Sequence, residues 1–331
     1  MRDPLILPTA EGLYCPAGEF HIDPWRPVGT AIITHAHADH ARAGSQQYFS
    51  QQAGLPILRH RLGEHDFSGL PYGEQRRFGR TRVSLHSAGH VLGSAQVRVE
   101  HDDGRVWVVT GDFKRDPDPT CAPFEVVPCD TLITEATFAL PCYQWPPVER
   151  VGEQIWDWWS GNSECPCILF TYAFGKAQRV LAALLAHTDR RVYLHGAMVA
   201  LTELYREADV AMLPTCPVSE MDKGHDFAGD LILAPPSAAG SPWMRRFRNA
   251  STGFASGWMR IRGNRRRRGY DQGFELSDHA DWPALLQTIR DCGASTVLTT
   301  HGRSDDLVRY LREVEGIDAR ALTTLYGAEE D

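Results

Sequence analysis

The chain has 331 residues, of which 43% are hydrophobic and 23% charged, with a formal net charge of −8. That is the make-up of a soluble globular protein with a sizeable core, divided into one large domain or two ordinary ones, and no stretch approaches the ~20 apolar residues of a membrane span. The net acidity points to no anionic partner, but the distribution does. Residues 241–270 hold nine arginines (Arg245, Arg246, Arg248, Arg260, Arg262, Arg265, Arg266, Arg267 and Arg268) and no acid, leaving −17, that is −8 less these nine, on the rest. Such asymmetry suits a local polyanion site on an acidic body.

Short apolar runs rich in β-branched residues, separated by turn signals, fill the first 140 residues. "TAIIT" (30–34), "RVSLHS" (82–87), "AQVRVE" (95–100), "RVWVVT" (105–110) and "TLIT" (131–134) read as strands. Beyond residue 148 the texture changes. "ERVGEQIWDWWS" (149–160), "GKAQRVLAALLAHT" (175–188) and "VALTELYREA" (199–208) have helical spacing. "CILFT", "RVYLHG" (191–196) and "DLILAPP" (230–236) are strands between them, the alternation of a parallel α/β unit. The arginine-rich stretch follows. "FELSDHADWPALLQTIR" then sets a loop before a helix, "STVLTTHG" is a strand ending at His301, and "SDDLVRYLREVE" is a closing helix. The eight cysteines form no CxxC pair. The first residues lack the basic start and apolar run of a signal peptide, so reduced thiols and a cytoplasmic location are expected.

The chemistry concentrates in "THAHADHARAG" (34–44). His35 and His37 follow a strand, and residues i and i+2 of an extended backbone share a side, so both imidazoles can reach one metal. Asp39 and His40, expected at the start of a helix, can face a second. Four ligand-type side chains within six positions is a specific signal. His90 in "SAGHVLGSA" and Asp112 in "VVTGDF", each ordinary alone, become candidate nitrogen and oxygen donors beside it.

These motifs resemble the metallo-β-lactamase superfamily: HxHxDH, then GH, then GD, each after a strand. "ITEATF", "TYAFGKAQRVL", "SDHAD" and "TTHG" resemble the successive motifs of its β-CASP nucleases. The opening "GLYCPAGEFHIDPWRP" and the full-length pattern are most similar to the bacterial ligase-associated DNA exonucleases. The resemblance implies an α/β fold: a four-layer αββα sandwich (residues 1–146 and 273–331) interrupted by an inserted β-CASP α/β domain (147–272) that roofs the metal site. It implies two divalent ions, zinc or manganese, one held by His35, His37 and His90, the other by Asp39, His40 and His301, with Asp112 bridging. Two metals ~3.5–4 Å apart clamp the oxygens of an in-line phosphoryl displacement and supply hydroxide near neutral pH, with Asp39 helping to orient it. His279 would stabilise transition-state oxygens or protonate the leaving group, and Glu135 would hold His279 protonated and aimed. Asp23 would orient a ligand histidine or form a turn before Pro24.

For the substrate, the arginine stretch interleaves Trp243, Phe247, Phe254, Trp258 and Tyr270, the pairing of phosphate contacts and base-stacking platforms used on single strands. Arg245, Arg246, Arg248 and Arg265 to Arg268 are the candidate phosphate contacts, with Ser94 in a glycine-flanked loop. A solvated loop is the plain alternative for the arginines, and core packing for the aromatics. The family association implies DNA as substrate, an ATP-dependent DNA ligase and a helicase as partners, and no membrane. A histidine at position 301 resembles the RNA-processing branch instead. An RNA nuclease of the same fold, a small-molecule metallo-hydrolase and a non-catalytic nucleic-acid scaffold are the rival readings.

Overall fold

A computed structural model of the chain describes residues 3–261, 269–302 and 304–324. Arg262 and Arg265 to Arg268 lie outside the described residues. The fold is α/β and divides into two compact units, Met1–Gln144 with His279–Glu330, and Trp145–Asp278.

The first unit is built on two sheets. One runs in the order β1 (Leu7–Pro8), β2 (Leu13–Cys15), β3 (Phe20–Ile22), β4 (Thr30–Ile33), β5 (Gln47–Gln51), β6 (Asp66–Leu70), antiparallel as far as β3 and parallel thereafter. Helix α1 (Leu55–Leu62) joins its last two strands. The other sheet contains β7 (Gln75–Phe78), β8 (Thr81–Ser87), β9 (Ala95–His101), β10 (Val106–Val109) and β11 (Thr131–Glu135). The late strands β18 (Thr296–Thr300) and β19 (Asp318–Ala321) add to it beside β11. Strands β7 to β10 form an antiparallel meander; β10, β11, β18 and β19 are parallel.

Period-two alternation divides this sheet's faces. Trp107, Val109, Ile133 and Leu298 point inward and share a core with Phe20, Ile22, Ile32 and Phe49 of the first sheet. Their neighbours Val108, Leu132 and Val297 point outward, against Leu285, Leu286 and Ile289 of helix α5 (Trp282–Cys292) and Leu307, Val308 and Leu311 of helix α6 (Ser304–Glu313). Asp281 caps α5 by accepting the Ala284 N–H at 3.0 Å, and Gly293 ends it in the left-handed region at φ 68°. The capping residue therefore stands two positions after His279 and the helix begins at the third.

The second unit is a wholly parallel sheet in the order β14 (Thr215–Pro217), β13 (Val192–Leu194), β15 (Leu231–Ala234), β12 (Cys167–Phe170), β16 (Ser251–Ala255), β17 (Gln272–Phe274). Its inner strands β12 and β15 read as unbroken buried apolar runs, as parallel strands covered on both faces do. Helices α2 (Val148–Ser160), α3 (Lys176–Ala183) and α4 (Gly196–Glu207) belong to it. Strand β17 pairs with β16, and the chain passes from this unit back to the first after Asp278.

Candidate metal centre

Strands β8, β10, β11 and β18 run in the same direction, so the loops after them open on one edge of the second sheet, where α/β proteins place their sites. His90 follows β8, Asp112 follows β10, Glu135 ends β11 and His301 follows β18.

The loop after β4 is held from beneath by Asp23, a buried residue at φ 44°. Its carboxylate accepts the Thr34 N–H at 2.7 Å and the Thr34 hydroxyl at 2.6 Å, and lies 2.7 Å from His40 Nδ1. Asp23 thus contacts both the Thr34 backbone and the His40 ring. Asp39 and His40 do not start a helix. They sit in a tight turn in which the His40 and Ala41 N–H groups both donate to the His37 carbonyl, at 3.2 and 2.9 Å, after which the chain runs irregularly to β5. Thr34, which no motif singled out, links this clamp to His35 Nδ1 at 3.1 Å; a buried threonine after a strand gives no sequence signal of its own.

Two glycines let the loops converge. Gly111, at φ 56°, would place a Cβ 2.7 Å from Thr34 Cβ, and Gly89, at φ 69°, would place one 2.3 Å from the Lys114 carbonyl. No side chain fits at either position, so the segments carrying Asp112 and His90 approach as bare backbone.

Asp112 Oδ2 lies 3.2 Å from His35 Nε2, 3.3 Å from His40 Nε2 and 3.8 Å from His90 Nε2. His90 Nε2 is 3.1 Å from His37 Nδ1, His40 Nε2 is 3.5 Å from Asp39 Oδ2, and the His40 and His301 rings stack at 5.0 Å. Two ligand sets result, His35, His37, His90 and Asp112 in one and Asp39, His40 and His301 in the other, each with its donor atoms within 4.8 Å of one another. Both carboxylate oxygens of Asp112, Asp39 Oδ2 and His35 Nε2 are buried and make no hydrogen bond of ordinary geometry, despite those close approaches. Buried polar atoms are hydrogen-bonded almost everywhere else in proteins. Donors that converge yet leave these atoms unsatisfied fit a cation. The mixed imidazole and carboxylate set suits a borderline divalent ion.

The electrostatics agree. Burial, together with His40 and His90, pushes His35 well below the ordinary imidazole range; burial and His40 take His301 down to about 4. Both are neutral and able to ligate. For His40 burial works the other way from Asp112, Asp39 and Asp23, whose three carboxylates prevail and hold it well above the ordinary value. Asp112 is held well below its ordinary value by His40 and His35 against the cost of burial.

Beside these sets His279 Nδ1 lies 2.9 Å from Glu135 Oε2, and the other carboxylate oxygen accepts the Phe113 N–H at 2.8 Å. Glu135, Asp112 and His279 form a further cluster with donor atoms within 4.8 Å, and the His279 ring is 4.9 Å from that of His90. Burial raises the Glu135 carboxyl although His279 opposes it.

The substrate residues fare differently. Ser94 is buried and its hydroxyl accepts the His90 and Val91 N–H groups, both at 3.1 Å, so it shapes the His90 loop. Arg246 is committed to the carbonyls of Met221 and Asp222 at 2.6 and 2.8 Å and lies over Phe227. Arg245 and Arg248 are exposed. Phe247 and Phe254 are core, and Trp243, Trp258 and Tyr270 are half-buried and packed against that core.

No family model matches the chain. It is 30% identical over 318 residues to a probable DNA ligase of Opitutus terrae, a match covering 95% of this chain and 30% of that protein. It is 26% identical over 212 residues to an RNase J-like protein of Methanocaldococcus jannaschii, covering 54% of this chain and 50% of that one. The chain thus spans about a third to a half of the length of these curated relatives. A crystal structure of a protein of unknown function from Enterococcus faecalis matches with a TM-score of 0.61 at 12% identity, over 90% of this chain and 80% of that one. That likeness is one of fold. Among the described residues no helix is long and apolar enough to cross a membrane.

Proposed function

We propose that this chain is a divalent-metal-dependent nuclease that removes nucleotides from DNA ends, on a metallo-β-lactamase αββα core carrying a β-CASP domain, and that it serves bacterial DNA repair beside a ligase. The observation that carries the reading is the convergence of His35, His37, Asp39, His40, His90, Asp112 and His301 on shared points, with the Asp112 carboxylate unsatisfied among them.

His35, His37 and His90 would hold one ion, Asp39, His40 and His301 the other, and Asp112 would serve both. Two bound ions supply neutralising charge for a phosphodiester and an activated water. Around them the protein does the rest. Asp39 Oδ2 accepts a hydrogen bond from the attacking water. Glu135 accepts from His279 Nδ1, which fixes the ring and turns Nε2 toward the reacting phosphate, where it donates to a developing oxygen charge. Exposed arginines of the 241–270 stretch hold the strand by its phosphates.

DNA is preferred because the likeness to a relative named for DNA runs the length of this chain. The second reading is an RNA nuclease, supported by the RNase J-like relative and by His301, whose donor atom lies within 4.8 Å of those of Asp39 and His40. The deciding assay uses DNA and RNA, single- and double-stranded, labelled at either end, with zinc, manganese or magnesium and an EDTA control. Progressive shortening of DNA that EDTA stops is the expected result. Cleavage of RNA alone replaces it with the second reading, and inertness toward both in the metal-loaded protein rejects a nuclease.

A further inference from the structure

Two of the eight cysteines meet within the first unit, at the end of the second sheet opposite the candidate metal donors. Cys129 stands two residues before β11, which ends at Glu135, and Cys292 is the last residue of α5. The segments that hold them run side by side. The Cys129 N–H donates to the Cys292 carbonyl at 3.1 Å. The Asp130 carbonyl accepts the Ser295 and Thr296 N–H groups at 3.1 and 3.3 Å and the Ser295 hydroxyl at 3.2 Å, and the β11–β18 ladder continues from Thr131 opposite Thr296. A backbone N–H to carbonyl bond of this kind sets its two Cα atoms roughly 5–6.5 Å apart, inside the ~4.4–6.8 Å that a disulfide spans.

The side chains use this proximity. Cys292 belongs to the apolar cluster under α5, and Cys129 packs against the same cluster. The Cys292 thiol donates to the Ile289 carbonyl one turn back at 3.3 Å. The two thiols also act on one another directly. That contact is the largest influence on either, pushing Cys129 up and Cys292 down from the ordinary thiol value. Buried cysteines are by default inert packing. This pair differs in being clasped by main chain on both sides and open on one: Cys292 is buried, while Cys129 is half-buried between the exposed Pro128 and Asp130.

We propose that Cys129 and Cys292 are a reversible oxidation site, closing into a disulfide within the first unit when hydrogen peroxide reaches them and reopening in the presence of thiols. The Cys129 sulfur attacks one peroxide oxygen as the O–O bond breaks, and its proton leaves with the departing hydroxide as water. The resulting sulfenic acid is attacked at sulfur by Cys292, the S–S bond forms, and hydroxide departs with the Cys292 proton as a second water. Two electrons pass from the sulfurs to the peroxide. Residues 145–278 all lie between the two cysteines in the chain, so the bond closes a loop holding the entire second unit. Closing so long a loop restricts the unfolded chain and favours the folded one, provided the sulfurs meet without strain.

The test uses the full parent chain, reduced, freed of dithiothreitol and diluted to suppress links between molecules through the exposed Cys142. Hydrogen peroxide is added with EDTA, the remaining thiols are blocked with N-ethylmaleimide in denaturant, and the unreduced digest is mapped by mass spectrometry. A species joining residue 129 to residue 292, lighter by two hydrogens, should be the main disulfide, and dithiothreitol should return both thiols. The oxidised protein should melt a few degrees higher than the reduced one, and the gain should vanish on reduction and in Cys129→Ser. Cys129 and Cys292 both still open to the blocking reagent at a dose that oxidises Cys142 would overturn the proposal, as would Cys129 ending as a sulfinic acid with no link. A linked protein that melts lower than the reduced one also overturns it, since the sulfurs would then have been dragged together. If Cys129→Ser does not fold, the map and melting curves of the parent decide alone.

Discussion

Glu135 and His279 stand 144 positions apart in the chain, and their side chains meet at 2.9 Å with about 1% of either residue exposed. Replacing Glu135 by Gln keeps the shape and the acceptor for the Phe113 N–H but removes the charge facing the imidazole. Turnover should fall by roughly ten- to a hundredfold, the share of a general acid whose partner is weakened, with bound metal unchanged; His279→Ala should cost roughly a hundredfold or more. The stability effect has the opposite sign. Burial raises the folded carboxyl above its ordinary value of 4.5, so its contribution is fully present below that pH and is lost as pH rises through the folded value. Where the folded carboxyl is ionised it works against folding, so metal-free Glu135→Gln should melt no lower than the parent at pH above the folded value. A less active variant that also melts lower would show that Glu135 serves the fold.

Asp112 is the acceptor that both ligand sets approach. Asp112→Ala should abolish phosphodiesterase activity and deplete bound metal, measured by elemental analysis of the purified protein. An active, metal-replete Asp112→Ala would remove the shared ligand from the mechanism.

Most of the candidate metal centre was legible in the sequence because its donor-type side chains lie in dense motifs directly after apolar strands, where backbone alternation alone puts His35 and His37 on one side. The turn at Asp39 and His40 was not legible: "DHARAG" is compatible with a first helical turn, and only the Asp23 clamp beneath His40 shows why the chain departs instead. The fate of the arginines and aromatics was equally hidden. Composition counts charges and rings but does not say which meet a carbonyl, as Arg246 does, or a core, as Phe254 does. Short edge strands such as β1 and β19 carry too few residues to show a period. The burial of Lys176 and Arg179 reverses what helical spacing predicts, since their partners lie about a hundred positions away.

His40 gives the metal affinity a sign with pH. Three carboxylates hold it well above its ordinary value of 6.5, while a ligating imidazole must be neutral. Metal binding should therefore release about one proton near neutrality, and affinity should rise with pH until His40 has titrated. In the metal-free protein the stabilisation from this shift is fully present below 6.5 and is lost as pH climbs through the raised folded value. Calorimetry in buffers of different ionisation enthalpy reads the proton directly. A heat that does not depend on the buffer would place His40 outside the ligand set.

Asp23 touches no expected substrate atom, yet it holds Thr34 and His40 together. Asp23→Asn should weaken metal binding by roughly ten- to a hundredfold, as losing the partner of a ligand histidine does elsewhere. The readout is competition with a chelator of known affinity. Unchanged metal affinity would reduce Asp23 to a turn residue before Pro24.

The arginines separate by what already holds them. Arg246 is spent on two backbone carbonyls, so Arg246→Ala should lower the melting temperature and leave the salt dependence of DNA binding alone. Arg245 and Arg248 are exposed, and Arg265 to Arg268 lie outside the described residues. Neutralising residues 265–268 should weaken binding of single-stranded DNA at low salt. Each lost phosphate contact should also flatten the slope of log affinity against log salt by about 0.7, so that four lost contacts change it by roughly 3. Fluorescence anisotropy across a salt series measures both. An unchanged slope would make the run of four a solvated loop, and would move the search for the strand's path to Arg245 and Arg248.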